Sequence, residues 1–219
     1  MFTLDLFSDL PRSTGNRQQL GPGAWLLEGF ALATARELVA AVEDVHQASP
    51  PRHLVTPGGF TMSVAMTNCG RLGWTSDLRG YQYTPVDPLI QRPWPTLPPV
   101  FLSLAARAAE AAGYTAFSPD ACLINTYTAG TRLSLHQDKD EQDLSAPIVS
   151  VSLGLPAVFL FGGARRTDPV QRYEVRHGDV VVWGGEDRLR FHGVSPLKQG
   201  EHPLTGARRL NLTFRKVNL

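Results

Sequence analysis

RLSLHQDKDE, residues 132–141, decides how this chain is read. In an extended strand, side chains at i and i+2 project from the same face, so His136 and Asp138 can close on one ion from one side. An imidazole and a carboxylate, completed by a distant second histidine, form the facial triad that suits non-haem Fe(II), with further metal positions left open for chemistry. His192, in RFHGV and 56 residues after His136, is the candidate third ligand. His-x-Asp on its own is a weak signal, because a surface loop or a salt-bridged pair would look the same.

The surrounding sequence is nearly all β. CLINTY, RLSLHQD, IVSVSLG, AVFLFGG, YEVRHGD, VVVWGG and LNLTFRK are short runs separated by Gly, Pro or Asp. Strands of this spacing predict a sandwich or barrel, and a double-stranded β-helix (jelly roll) fits their number. HGD at 177–179 reads as a hairpin turn between YEVR and VVVW. Upstream, Leu32, Ala35, Leu38, Val39, Val42 and Val45 recur at helical steps over 31–48, with Thr34 and Glu37 spaced as a capping box. A second helix is expected from Pro99 to Ala112, opened by prolines and stopped at Gly113. Between the helices, TMSVAM alternates as a strand and the rest of 51–95 reads as aromatic loops of the kind that form lids. The expected organisation is a tail (1–20), helices and a lid (21–118) and a jelly-roll core (119–219), in one mainly β unit with flanking helices.

Composition narrows the function classes. The chain has 219 residues, 42% hydrophobic and 19% charged, enough for one sizeable core. A net charge of +1 supplies no global field for nucleic acid, so such a partner must be held by local patches. Cys69 and Cys122 are too few for a disulfide framework or a cysteine-rich zinc site. MFTLDLFSDLPRS lacks the basic and apolar regions of a secretory leader, and no apolar run approaches the ~20 residues of a membrane span. A monomer in the reducing cytoplasm is the expectation.

Two further stretches carry chemistry. In RRLNLTFR, Leu210, Leu212 and Phe214 share one strand face, and Arg209, Asn211, Thr213 and Arg215 share the other. The two arginines are roughly 20 Å apart along the strand at ~3.3 Å per residue, so they serve one small dianion only if their side chains converge. A guanidinium binds a carboxylate through two parallel hydrogen bonds, and beside a facial-triad iron the fitting dicarboxylate is 2-oxoglutarate. In NTYTAGTRL, Asn125 and Tyr127 lie on one face and can donate to the same ligand.

Taken together, Asn125-x-Tyr127-x-x-Gly130, His136-x-Asp138-x-Asp140, the distal His192 and Arg209-x-Asn211-x-x-x-Arg215 resemble the AlkB family of Fe(II)/2-oxoglutarate dioxygenases. The resemblance extends to TPGGFTMSVAMTNCGRLGWT and PWP and spans residues 20–216. It implies iron on His136, Asp138 and His192, and 2-oxoglutarate held by Asn125, Thr126, Tyr127, Arg209, Asn211 and Arg215, with O2 as co-substrate. It also implies that the lid within residues 21–118 of this single catalytic unit is a nucleotide-recognition lid, with a flipped-out nucleobase gripped by Trp74, Tyr81, Gln82, Tyr83, Asp140 and Arg166. The implied reaction is oxidative N-dealkylation of bases such as 1-methyladenine and 3-methylcytosine in DNA or RNA, releasing formaldehyde, succinate and CO2. A cationic methylated base would gain a cation–π contribution of ~0.5–2 kcal/mol on Trp74.

Two other classes share parts of this pattern. A hydroxylase of protein side chains would keep the triad but need a peptide groove, and a non-catalytic nucleic-acid-binding jelly roll would have no use for three converging ligands. His46, His53, His177 and His202 read as non-ligands, and Trp183 as packing near the metal-bearing strands.

Overall fold

The computed structural model describes residues 15–218; residues 1–14, on which the expectation about a secretory leader falls, lie outside the described residues. In chain order the elements are β1 (Arg17–Gly21), β2 (Ala24–Leu27), α1 (Ala35–Ala48), β3 (Arg52–Val55), β4 (Thr61–Gly70), β5 (Gly73–Asp77), β6 (Gly80–Thr84), β7 (Val86–Asp87) and β8 (Arg92–Pro93). There follow α2 (Pro99–Ala111), β9 (Ala121–Tyr127), β10 (Leu133–His136), β11 (Ile148–Gly154), β12 (Ala157–Phe161), β13 (Gln171–Val175), β14 (Val180–Trp183), β15 (His192–Val194) and β16 (Arg209–Arg215).

Eight strands form the major sheet in the order β1-β2-β14-β11-β16-β9-β4-β3, and four form the minor sheet in the order β10-β15-β12-β13. Strand alternation sorts the major sheet's side chains into two cores. Cys122 and Ile124 of β9, Val149 and Val151 of β11, and Leu210, Leu212 and Phe214 of β16 pack against α1 and α2 on one face. Leu123, Tyr127, Ile148 and Trp183 project from the other face onto Phe159, Phe161 and Val194 of the minor sheet. This two-sheet arrangement is the expected jelly roll with helices flanking one side.

The helices form for the expected reasons, with two differences. Ala35, Leu38, Val39, Val42 and Val45 are buried along α1, whereas Leu32 is 40% exposed because it lies in a 3-10 turn before the helix begins. Thr34 occupies the N-cap, but its hydroxyl donates to the Ala31 carbonyl at 3.3 Å rather than capping the helix, so the capping box does not form. Pro99 opens α2, and Gly113, at φ +93°, follows its end.

The organisation departs from the expectation in three places. Residues 17–20, read as tail, belong to β1, and β2 pairs with β14 at the heart of the jelly roll. β3 and β4 also extend the major sheet, so residue 118 divides no structural units. HGD is not a hairpin turn. β13 pairs with β12 in the minor sheet and β14 with β11 in the major sheet, so 177–179 carries the chain from one sheet to the other. Asp179 fixes this corner by accepting from the amides of Gly29 (2.7 Å) and Arg176 (2.8 Å), and His177 Nδ1 accepts from the Gly154 amide at 2.9 Å.

The stretch 51–95 is more ordered than aromatic loops. β5 and β6 form a hairpin that sets Trp74 opposite Tyr83 and Ser76 opposite Tyr81, and β7 pairs with β8. Asp87, fully buried, ties the base of this region to the body, accepting from Ser49 Oγ at 2.5 Å and from both terminal nitrogens of Arg52 at 2.6 and 3.0 Å.

Burial, and secondarily His202, pushes His177 down to about 4 from an ordinary 6.5. A histidine held neutral in the fold contributes stability above its unfolded value, and this is lost as pH falls toward the folded value. The thermal midpoint of His177→Gln should therefore lie below that of the unaltered chain at pH 7. The gap should narrow between pH 6.5 and 4; calorimetric scans across that window would expose a constant gap as contrary evidence.

Candidate active site

Three segments bring the metal-ligand candidates together. His136 ends β10, and His192 opens β15 directly opposite it in the antiparallel register. Backbone contact there is close: a Cβ on Gly193 would lie 2.6 Å from the Leu133 carbonyl oxygen, so the residue after His192 has no room for a side chain. Asp138 lies two residues beyond the end of β10, so the strand-face argument does not position it. Arg215, from the end of β16, does so by donating to Asp138 Oδ2 from Nε at 3.1 Å and Nη2 at 2.8 Å.

The donor atoms of His136, Asp138 and His192 all lie within 4.8 Å of one another, the one such group among the described residues. Asp138 Oδ1 is 3.6 Å from His136 Nε2, and Oδ2 is 3.8 Å from His192 Nε2. In each histidine Nδ1 faces a backbone carbonyl, Ser134 at 2.9 Å and Arg190 at 3.1 Å, which places the proton on Nδ1 and leaves Nε2 a lone pair for a metal. Burial, and then His136, pushes His192 down to about 3, so it is a neutral ligand at physiological pH. Burial pushes the Asp138 carboxyl upward, but Arg215, His192 and His136 together outweigh it and hold the group below its ordinary range. Two imidazole nitrogens and one carboxylate match the donor set of a hard-to-borderline divalent ion such as Fe(II).

Next to these donors the inward face of β9, β11 and β16 lines a polar recess. Asn125, Tyr127, Arg209, Asn211 and Arg215 all border the same pocket as the three donors, so the two arginines converge despite their separation along the strand. Arg209 is 2% exposed; its Nη2 donates to Ser152 Oγ at 3.0 Å, while Nε and Nη1 have no hydrogen-bond partner among the described residues. A buried guanidinium edge without an acceptor is costly unless an anion completes it, which fits a dicarboxylate bound here. β16 is a central strand with every residue buried, and its polar face looks into the pocket rather than toward solvent. Thr126 departs from the expectation. Its neighbours in register alternate away from Asn125 and Tyr127, so its side chain is on the helix-facing side and outside the pocket.

The β5–β6 hairpin contributes an aromatic platform. Trp74 and Tyr81 stack with centroids 5.4 Å apart and planes 16° from parallel, and the Trp74 indole N–H donates to Asp140 Oδ2 at 2.9 Å. Tyr83 lies on the same hairpin face, whereas Gln82 opposes Thr75 on the other face and is not part of the platform. Arg166 is exposed, 5.2 Å above the ring of Phe191, the residue before His192.

Several contributors were not legible as site residues. Glu141 and Arg188 are buried in an ion pair of 3.0 Å beside Asp138, and Ser150 and Trp183 line the pocket. Glu141 sits in an acid-rich run that reads as solvated, and nothing in the sequence announces that Arg188 folds inward. Trp183 does pack where expected, its ring 4.8 Å from that of His192.

Comparison with known proteins agrees with this geometry. The model of the 2OG-Fe(II) oxygenase superfamily matches residues 23–215. The alpha-ketoglutarate-dependent dioxygenases AlkB of Salmonella typhimurium and Escherichia coli are 60% and 59% identical to this chain over 214 residues, 98% of each chain. The solved structure of OsALKBH1 is similar with a TM-score of 0.80 at 31% identity, covering 92% of this chain and 100% of that one. This chain therefore belongs to the AlkB family of Fe(II)- and 2-oxoglutarate-dependent dioxygenases.

Proposed function

We propose that this enzyme reverses N-alkylation of nucleobases in DNA, and in RNA where the base is accessible, acting as a single chain in the cytoplasm. The observation that carries the reading is the convergence, around one pocket, of the three donors and two arginines, with a stacked tryptophan above the segment that follows Asp138. No helix among the described residues is long and apolar enough to cross a membrane.

His136, Asp138 and His192 would hold Fe(II) through two Nε2 atoms and a carboxylate oxygen. Bound Fe(II), 2-oxoglutarate and O2 supply the oxidising chemistry that hydroxylates the N-alkyl carbon, with 2-oxoglutarate leaving as succinate and CO2. Arg209 is suited to the distal carboxylate, because two of its nitrogens face the pocket without an acceptor. Arg215 is already engaged with Asp138 and stands at the metal end. Asn125, Tyr127 and Asn211 add hydrogen-bonding groups along the recess. The hydroxymethyl base then loses formaldehyde, and its nitrogen regains a lone pair.

The lid supports selection for damaged bases. Extrusion costs less for a methylated base, whose pairing edge is blocked, than the few kcal/mol of a normal pair. Trp74 offers a flat face on which a cationic base gains ~0.5–2 kcal/mol, and Asp140, within reach of the indole, adds negative charge beside it. A peptide groove, which a protein hydroxylase would need, finds no comparable support in this stacked platform.

His136→Ala and Asp138→Ala should each lower formaldehyde release from a methylated oligonucleotide by more than ~100-fold while retaining the circular dichroism of the fold; the loss exceeds that from altering a residue merely behind a ligand. Full turnover in either variant would refute the metal assignment. Trp74→Ala should raise KM for the oligonucleotide about tenfold, the scale of one base–aromatic stack, with little change in 2-oxoglutarate decarboxylation in the absence of oligonucleotide. An unchanged KM would remove Trp74 from the base clamp.

A further inference from the structure

The two cysteines of the chain are far apart in sequence and face one another in the fold. Cys69 of β4 and Cys122 of β9 are directly paired in register. Both side chains project to the helix side of the major sheet, where each is completely buried. Cα atoms opposite one another in an antiparallel pair are ~4.5–5.5 Å apart, and a disulfide spans Cα separations of ~4.4–6.8 Å. Joining the two sulfurs therefore asks for no more than a small approach of strands that are already partners. The reaction derived above gives neither thiol a task, since β9 serves the pocket through Asn125 and Tyr127.

The surroundings of the two thiols differ in a way that sets their order of reaction. β3 pairs with β4 as far as Met66, so residues 67–70 have β9 as their one strand partner among the described residues. Beyond them, the amides of Gly70 and Arg71 donate to the Pro95 and Asp120 carbonyls, each at 2.8 Å. Cys122 instead lies between two strands, opposite Cys69 on one side and Phe214 of β16 on the other. Local release of residues 67–71 uncovers Cys69 and leaves Cys122 in place, and strand ends at a sheet edge open more readily than central strands. Burial, and then its neighbour Cys69, pushes the Cys122 thiol well above its ordinary value, so Cys122 stays protonated and unreactive until a partner sulfur reaches it.

We propose that Cys69 and Cys122 form a reversible oxidation site, which a hydroperoxide converts into a disulfide bridging β4 and β9. In the first step the Cys69 sulfur attacks the terminal oxygen of the hydroperoxide and the O–O bond breaks. The thiol proton ends on the departing alcohol, and Cys69 becomes a sulfenic acid. The Cys122 sulfur then attacks the Cys69 sulfur, the S–O bond breaks, and the hydroxyl leaves with the Cys122 proton as water. The two thiols together lose two electrons and two protons, and the hydroperoxide takes them up as one alcohol and one water. A dithiol reductant reverses the change. The new bond closes a loop through residues 70–121, which holds β5 to β8 and α2. Closing so long a loop restricts the unfolded chain far more than the folded one, so the oxidised form gains stability.

The test uses the full chain with Zn(II), which has no redox chemistry of its own, and an excess of tert-butyl hydroperoxide. The intact mass should fall by about 2 Da, a proteolytic fragment should join Cys69 to Cys122 within one molecule, and dithiothreitol should undo both changes. The thermal midpoint should rise by roughly 5–10 °C on oxidation and return on reduction. Cys69→Ala and Cys122→Ala should each lose the linked fragment and the midpoint shift. With iron in place of zinc, both reduced variants should release formaldehyde at the rate of the unaltered chain; two variants are made so that poor folding of one leaves the other to decide. Mass gains of about 16 Da or its multiples with no linked fragment would overturn the proposal. So would a link found only between two molecules, or a midpoint that oxidation does not move.

Discussion

Asp138 carries a buried charge that its apolar surroundings could not hold alone. Removing a carboxylate from water costs several kcal/mol unless a cation and well-formed hydrogen bonds replace the solvent. Arg215 provides both by donating twice to Oδ2, which leaves Oδ1 toward His136. Arg215 is buried in its turn, and it is balanced by Asp138 and Glu141 together. The last strand of the chain runs through the middle of the major sheet, and its end there meets the segment after β10.

The major sheet separates two tasks by the alternation of its strands. Leu210, Leu212 and Phe214 face the helices and join a continuous apolar core, so the strand's position does not depend on the polar residues between them. Arg209, Asn211, Thr213 and Arg215 are then free to serve the pocket. Small residues on β11 make room for them: Ser150 and Ser152 accept from Asn211 and Arg209. The minor sheet closes the other side with Phe159, which together with Trp183 of the major sheet packs on His192, and burial there keeps its ring neutral. A site of this kind is held in place by its neighbours before any ligand arrives.

Much of the site was legible because its residues repeat with the strand period. Arg209, Asn211 and Arg215 on one face of their strand, and Asn125 with Tyr127 on one face of theirs, could be assigned to a common ligand from spacing and chemistry. The same period excludes Thr126 and Gln82, which sit between functional neighbours and point the other way. Contiguous naming of a motif hides that alternation. The lid hairpin was less legible, because Gly, Pro and aromatic residues mark loops as readily as short twisted strands. The corner at His177 was misread as a hairpin since a turn sequence specifies a reversal of the chain but not which sheet receives the next strand.

The sequence alone determined the alternating β pattern, the two helical stripes and the chemical identity of the donors, because these depend on local periodicity and side-chain type. Tertiary structure decided that Asp138 meets the histidines from a loop rather than a strand, that β1 to β4 complete the core sheet, and that Glu141 and Arg188 turn inward. Those outcomes depend on charge pairing and sheet order between residues far apart in the chain, and no local pattern encodes them.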